Sequence, residues 1–258
     1  MKRLLWVVFL AVLAFGQGRQ IMVIAHRGEH LKHPENTLPA YLAAIGLGAD
    51  YIEVDVRTTA DGKLVSMHNS SVDGTTNGKG QVANLTFEQI RALDAGIKFA
   101  AHFAGTRVPA FEEVLAAVKG RVGIYVDAKS VSARDLIAAL ERYQMVESVV
   151  VYGDLGLLIE LARLRPKIKV MPESVNGAVV RFLIAELRPR VIAYSEGDWN
   201  EDAIAPAREA GVDIYLDRLG AQDTPEHWQD AADRGATGIQ VDRVADLLQF
   251  LRARGWHK

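Results

Sequence analysis

The chain has 258 residues, 49% of them hydrophobic and 24% charged, with a formal net charge of −2. That apolar content supports a sizeable core and excludes a disordered chain. The near-neutral balance, with no lysine- or arginine-rich cluster, excludes nucleic acid as a partner, and the absence of cysteine excludes disulfides and thiolate metal sites.

Residues 1–16, MKRLLWVVFLAVLAFG, join a basic start at Lys2 and Arg3 to an apolar run from Leu4 to Phe15, with small residues at Ala14 and Gly16. This is signal-peptide architecture and predicts export, periplasmic or extracellular, with cleavage near Gly16. An apolar run of this length is short for a bilayer crossing, so a retained anchor is the weaker alternative and a buried N-terminal helix weaker still. No stable membrane span is expected after cleavage.

From residue 17 onward, short β-branched runs alternate with segments of helical period, and no internal repeat or linker divides them. The strand-like runs are IMVIAH, YIEVDV, VGIYVD, SVVVY, IKVMPE, VIAYSE, VDIYL and TGIQVD. Between most of them lie amphipathic stretches at Leu38–Leu47, Ala133–Tyr143, Leu155–Leu164, Ala178–Leu187, Asp202–Ala210, Pro225–Arg234 and Arg243–Arg252. Strict alternation implies parallel strands with right-handed crossovers. Eight such units predict a single α/β domain over 17–258, a closed (β/α)8 TIM barrel.

One run is surplus. LVSMH, Leu64 to His68, follows YIEVDV after the short link TTADGK, too short for a parallel crossover, so it predicts a hairpin arm at the barrel mouth. Residues 69 to about 109, rich in Gly, Thr and Asn and then weakly helical around Leu85–Leu93, predict an insertion between the second and third barrel strands.

Active sites of such barrels lie at the C-terminal ends of the strands. The first strand ends in His26 and Arg27. Glu53 and Asp55 on the second differ by two positions and so share a face; two unpaired carboxylates there call for a divalent cation. The hairpin brings His68, and YVDAK places Asp127 and Lys129 on one face of the third strand. Oxygen ligands suit Mg²⁺ or Ca²⁺. Arg27 and Lys129 are surplus cations for a metal site alone and suit an anionic, phosphate-bearing ligand. Taken singly, a strand-end histidine is a hydrogen-bonding residue, a junction Asp a helix cap and Asp127–Lys129 a buried ion pair. Seven such groups at three strand ends are hard to explain as structure.

These residues carry a resemblance. His26-Arg27-Gly28, Pro34-Glu35-Asn36-Thr37, Gly48-Ala49-Asp50, Ile52-Glu53-Val54-Asp55-Val56, Thr59-Ala60-Asp61-Gly62 and Met67-His68 are similar, in order and spacing, to the glycerophosphodiester phosphodiesterases. The chain more distantly resembles sphingomyelinase D, within the PLC-like phosphodiesterase superfamily. The resemblance implies that Glu53, Asp55 and Asp127 bind the metal and that His26 and His68 form an acid/base pair. It also implies that Arg27 and Lys129 hold the phosphate of a small-molecule diester, with Glu35 and Asn36 orienting their neighbours. The expected reaction yields glycerol 3-phosphate and an alcohol, through a cyclic phosphate if the glycerol's own 2-hydroxyl attacks. His30 and His33 match nothing in the pattern and are expected as rim loop residues.

The departures bear on specificity. His68-Asn69 stands where the family usually has His-Asp, and Asp73-Gly74-Thr75-Thr76 lacks an arginine often found there. Tyr215 and Asp217 of VDIYLD replace groups expected near the alcohol. Asp127-Ala128-Lys129, resembling sphingomyelinase D, motivates an alternative: phospholipase D-like action on lysophospholipid or sphingomyelin. A non-catalytic barrel binding a phosphorylated ligand is the third reading. Nothing in the sequence sets an oligomeric state.

Overall fold

The computed structural model describes residues 19–258, so the leader expected over residues 1–16 lies outside the described residues. The apolar runs form strands β1 (Met22–Ala25), β2 (Tyr51–Thr58), β3 (Leu64–Ser66), β4 (Gly123–Ser130), β5 (Val149–Tyr152), β6 (Lys169–Met171), β7 (Val191–Tyr194), β8 (Asp213–Arg218) and β9 (Gly238–Val241). All but β3 run parallel, in the order β6-β5-β4-β2-β1-β9-β8-β7. The seam between β6 and β7 is held at its upper end by a single bridge, Glu173 with Ala193, where the Ser174 amide donates to the Ala193 carbonyl at 2.8 Å. The result is the expected (β/α)8 barrel, nearly closed. β3 folds back antiparallel on β2, pairing Val56 with Ser66, which is the expected hairpin.

The helices are α1 (Leu38–Leu47), α2 (Phe87–Arg91), α3 (Phe111–Val118), α4 (Ala133–Tyr143), α5 (Leu155–Leu164), α6 (Gly177–Leu187), α7 (Glu201–Glu209), α8 (Pro225–Asp233) and α9 (Val244–Arg252). Five begin on side-chain caps: Thr86, Ser132, Asp154, Asn176 and Asn200 each accept a first-turn amide, as polar residues at helix starts should. Helix α3 is absent from the amphipathic stretches expected above. It is one short helix directly after an irregular loop, yet Phe111, Val114, Leu115 and Val118 are all buried at helical spacing.

Strand alternation sorts the side chains. Ile52, Val54 and Val56 of β2 face the helices and join the large core between sheet and helix ring. The opposite face points into the barrel, where Ile24, Tyr125, Val150, Met171, Val191, Ala193 and Tyr215 pack, with Tyr51 and Tyr152 against them. The same parity carries Glu53 and Asp55 inward. The insertion is not a bare loop: Val65, Met67, Val72, Val82, Ile90, Ala95 and Val108 form a small core of their own. α2 within it starts on a reciprocal cap between Thr86 and Gln89. That packing fixes the hairpin arm, and with it His68, against the barrel mouth.

Candidate active site

At the C-terminal end of the barrel a cavity of about 300 Å³ is lined by His26, Arg27, Glu53, Asp55, His68, Asp127 and Lys129 on one side. Tyr125, Tyr152, Glu173, Asp217 and Gln240 line the other. Every catalytic, metal and phosphate residue expected from the sequence therefore meets in one place. Glu35 and Asn36 stand behind it.

The turn after β1 explains why these residue types are needed. Arg27 and Asn36 hold φ of 54° and 57°, and Gly28 follows Arg27 at 82°. A Cβ on Gly28 would lie 2.7 Å from the Ala40 carbonyl carbon, so α1 packs where only glycine leaves room. The left-handed conformation of Arg27, unfavourable for a side-chain-bearing residue, aims its amide at Glu53 Oε2, at 2.7 Å. Its guanidinium Nη1 bonds both oxygens of Glu35, at 3.2 and 3.1 Å, and its buried Nε has no hydrogen-bond partner among the described residues. Glu35 thus holds the arginine at the cavity wall.

Asn36 is the keystone of a buried network. Its Nδ2 donates to Asp55 Oδ2 at 2.7 Å, while its Oδ1 accepts from the Tyr41 hydroxyl at 2.8 Å and the Ser66 hydroxyl at 2.9 Å. One amide therefore ties α1, β2 and the hairpin arm together. The His68 carbonyl accepts from Arg57 Nε and Nη2, at 3.0 and 2.6 Å, which pins the arm's far end.

Glu53, Asp55 and Asp127 offer oxygens that all lie within 4.8 Å of one another. Asp55 and Asp127 are direct neighbours in the parallel register. Lys129 Nζ bonds Asp127 Oδ2 at 2.6 Å and stands 3.3 Å from Asp55 Oδ1, but that oxygen is buried without a hydrogen bond. Arg27 Nε stands 3.7 Å from Asp55 Oδ2 but its guanidinium is shared with Glu35, so the two cations do not balance the four carboxylates. Burial, with Asp55 and Asp127 beside it, pushes the Glu53 carboxyl well above the usual range, and burial pushes Asp127 up despite Lys129. The residues fit a hard divalent cation: three convergent oxygen donors, one unsatisfied, in a pocket short of positive charge.

The two histidines have different surroundings. His26 Nδ1 lies 2.8 Å from Asp242 Oδ1, and its own amide donates to Val241. Burial lowers the His26 pKa, against the opposing hydrogen bond and charge of Asp242. Burial works to raise Asp242, yet the His26 hydrogen bond, the Gly220 amide and the charges of His26 and His30 together hold it low, so it is ionised. An ionised carboxylate only accepts, so Nδ1 carries the proton and Nε2 keeps its lone pair. His68 Nδ1 instead faces the side-chain oxygen of Asn69 at 2.9 Å, on a half-buried arm.

Sequence reasoning missed Asp242, which closes strand run TGIQVD as visibly as Asp127 closes VGIYVD; comparing all eight strand ends, not three, would have found it. His30 is a correction. Expected at the rim, it is half-buried, with Nδ1 2.7 Å from the His26 carbonyl oxygen, Nε2 3.4 Å from Asp242 Oδ1 and its ring 5.3 Å edge-on to His26. His33 bonds the buried Glu29 carboxylate at 2.9 Å. Across the cavity, burial and then Asp127 and Glu173 push the Asp217 carboxyl up to about 7.

Residues 26–256 match the Glycerophosphoryl diester phosphodiesterase family. The chain is 40% identical over 244 residues to the glycerophosphodiester phosphodiesterase of Caldanaerobacter subterraneus subsp. tengcongensis, covering 91% of this chain and 99% of the relative. A glycerophosphodiester phosphodiesterase from Agrobacterium tumefaciens superposes with a TM-score of 0.78 at 28% identity, over 88% of this chain and 98% of that one. An Oleispira antarctica phosphodiesterase, solved in complex with the product sn-glycerol-3-phosphate, shares the fold with a TM-score of 0.80 at 18% identity, over 90% and 97%.

Proposed function

The chain belongs to the glycerophosphoryl diester phosphodiesterase family and is a phosphoric diester hydrolase; from that premise we propose that it cleaves glycerophosphodiesters with a divalent metal, Mg²⁺ or Ca²⁺, and two histidines. The observation that carries this reading is the convergence of Glu53, Asp55 and Asp127 on one point of the cavity that His26 and His68 also line.

Glu53, Asp55 and Asp127 would hold the ion, which supplies Lewis-acid polarisation of a phosphoryl oxygen and neutralises its charge when bound. Arg27, braced by Glu35, and Lys129, braced by Asp127, bind the remaining phosphate oxygens. His26, neutral and with Nε2 free, takes the proton from the attacking hydroxyl. That hydroxyl is water or the glycerol's 2-hydroxyl, and in the second case a cyclic phosphate forms and opens with water. Asp242 fixes the tautomer and steadies the imidazolium. His68 delivers a proton to the departing alkoxide. The product sn-glycerol-3-phosphate held by the Oleispira antarctica relative supports this product class for the present chain.

The test is hydrolysis of glycerophosphocholine and related diesters with and without EDTA, and with His26→Ala. Loss under both conditions is expected; activity surviving both contradicts the reading. A second reading is favoured by Leu31, Ile97 and Phe99, each exposed beside a cavity of about 220 Å³ lined by His30, Glu35, Lys98 and Phe99. Apolar groups beside the phosphate site suit a lysophospholipid, and assaying micellar lysolipids against water-soluble diesters separates the two. Among the described residues no helix is long and apolar enough to cross a membrane. Residues 1–16 support export of the enzyme, which fractionation of the expressing cell checks.

A further inference from the structure

The two walls of the catalytic cavity carry opposite chemistry. β1 and β4 bring the cations Arg27 and Lys129, together with the metal carboxylates. The facing wall, from β6, β8 and β9, brings Glu173, Asp217 and Gln240 to the cavity and no cation. Asp217 and Gln240 are direct neighbours in the parallel register, and both point inward. Gln240 is 5% exposed, and its Oε1 is buried with no hydrogen-bond partner among the described residues. The Asp217 carboxylate also has none there. Glu173 accepts one bond, from the Tyr152 hydroxyl at 3.0 Å.

Such a wall holds unpaired acceptors and no positive charge. A buried acceptor left unpaired costs about 1–3 kcal/mol, so a ligand group that supplies donors recovers that cost on binding. Tyr125 and Tyr152, edge-on to each other with centroids 6.2 Å apart, line the same space. An alcohol such as glycerol brings donors without charge. A quaternary ammonium brings charge without donors. A primary ammonium brings three N–H groups and a full positive charge, matching three acceptors of which two are carboxylates.

We propose that Asp217, Glu173 and Gln240 seat the protonated primary amine of the substrate's alcohol, so that the preferred diester is that of an amino alcohol such as ethanolamine. This rests on the phosphodiesterase reading above and names the head group that reading leaves open.

The experiment compares kcat/KM of the metal-loaded enzyme for glycerophosphoethanolamine, glycerophosphocholine and glycerophosphoglycerol. The ethanolamine ester is expected to lead the glycerol ester by about tenfold or more, with choline between them. Asp217→Asn is expected to collapse that ratio about tenfold, chiefly through KM for the amine ester, and Gln240→Leu to reduce it less. A second readout needs no variant: free ethanolamine should inhibit the wild-type enzyme more strongly than ethylene glycol. Equal efficiency on all three esters, or equal inhibition by the two alcohols, overturns the inference and leaves the phosphodiesterase reading standing. No hydrolysis of any diester under any divalent metal overturns both.

Discussion

His26 and His68 face one cavity from two kinds of structure. His26 ends a barrel strand hydrogen-bonded on both sides, and its partner, Asp242, ends the neighbouring barrel strand. His68 ends a hairpin arm braced by the insertion's small core, and its partner, Asn69, is neutral and exposed. A carboxylate beside a buried imidazole fixes the tautomer and supports the charge that follows proton uptake. An amide fixes only the tautomer. On the function proposed above, the rigid half accepts a proton and the hairpin half gives one.

The largest expected effect ignores the difference between the halves. On the proposed function, removing the divalent ion with EDTA, or one of its proposed ligands with Glu53→Gln, should take away the charge that positions the phosphate for both histidines. Hydrolysis should fall by about 10³-fold or more, measured as initial rate with and without added Mg²⁺ or Ca²⁺.

His26→Ala and His68→Ala should each cost about 10²–10⁴-fold in kcat. The comparison is sharpened by a substrate with an activated phenolic leaving group, which needs no proton on departure. His68→Ala should recover most of its loss there, and His26→Ala should not. Equal recovery by both variants breaks the division of roles. Asp242→Asn tests the rigid half alone: with its tautomer no longer enforced, His26 should lose on the order of 10²-fold in kcat/KM at pH 7, less than deletion of the ring.

Asn69→Asp makes the hairpin half resemble the strand half. The added carboxylate accepts the same Nδ1 proton as Asn69 does, so the maximal rate should change by less than about tenfold, measured as kcat on the same diester. The smallest kinetic effect is expected from Asn36→Ala. It removes the donor to Asp55 Oδ2 and the acceptor shared by the Tyr41 and Ser66 hydroxyls, leaving those two only each other at 2.6 Å, and should lower unfolding free energy by about 2–3 kcal/mol in urea titrations.

Legibility in the sequence followed the range of the interactions. Glu53 with Asp55, and Asp127 with Lys129, declare themselves because a strand's period of two is local, and the alternation of runs carried the barrel. Asp242 escaped because it stands 216 residues from His26, and only barrel closure brings β9 beside β1. His30 escaped because a loop has no period; its burial depends on how the turn through Arg27 and Gly28 folds it onto His26. Gln240 looked like one polar residue in an apolar strand, and its parity relative to the cavity became visible only with the register. Helix α3 was hidden by its brevity and by the loop before it.

The central claim is that burial keeps His26 neutral while Asp242 fixes its tautomer and supports the charge it gains, and the pH dependence of kcat/KM tests it most directly. The neutral form is the active one, so activity falls as pH drops through the His26 pKa, which burial holds below the ordinary 6.5. The wild-type acidic limb should therefore lie below pH 6.5. Asp242→Asn removes the interactions that raise His26 and should shift the limb further down. An acidic limb above 6.5, or one that Asp242→Asn leaves in place while Asn69→Asp moves it, would contradict the account.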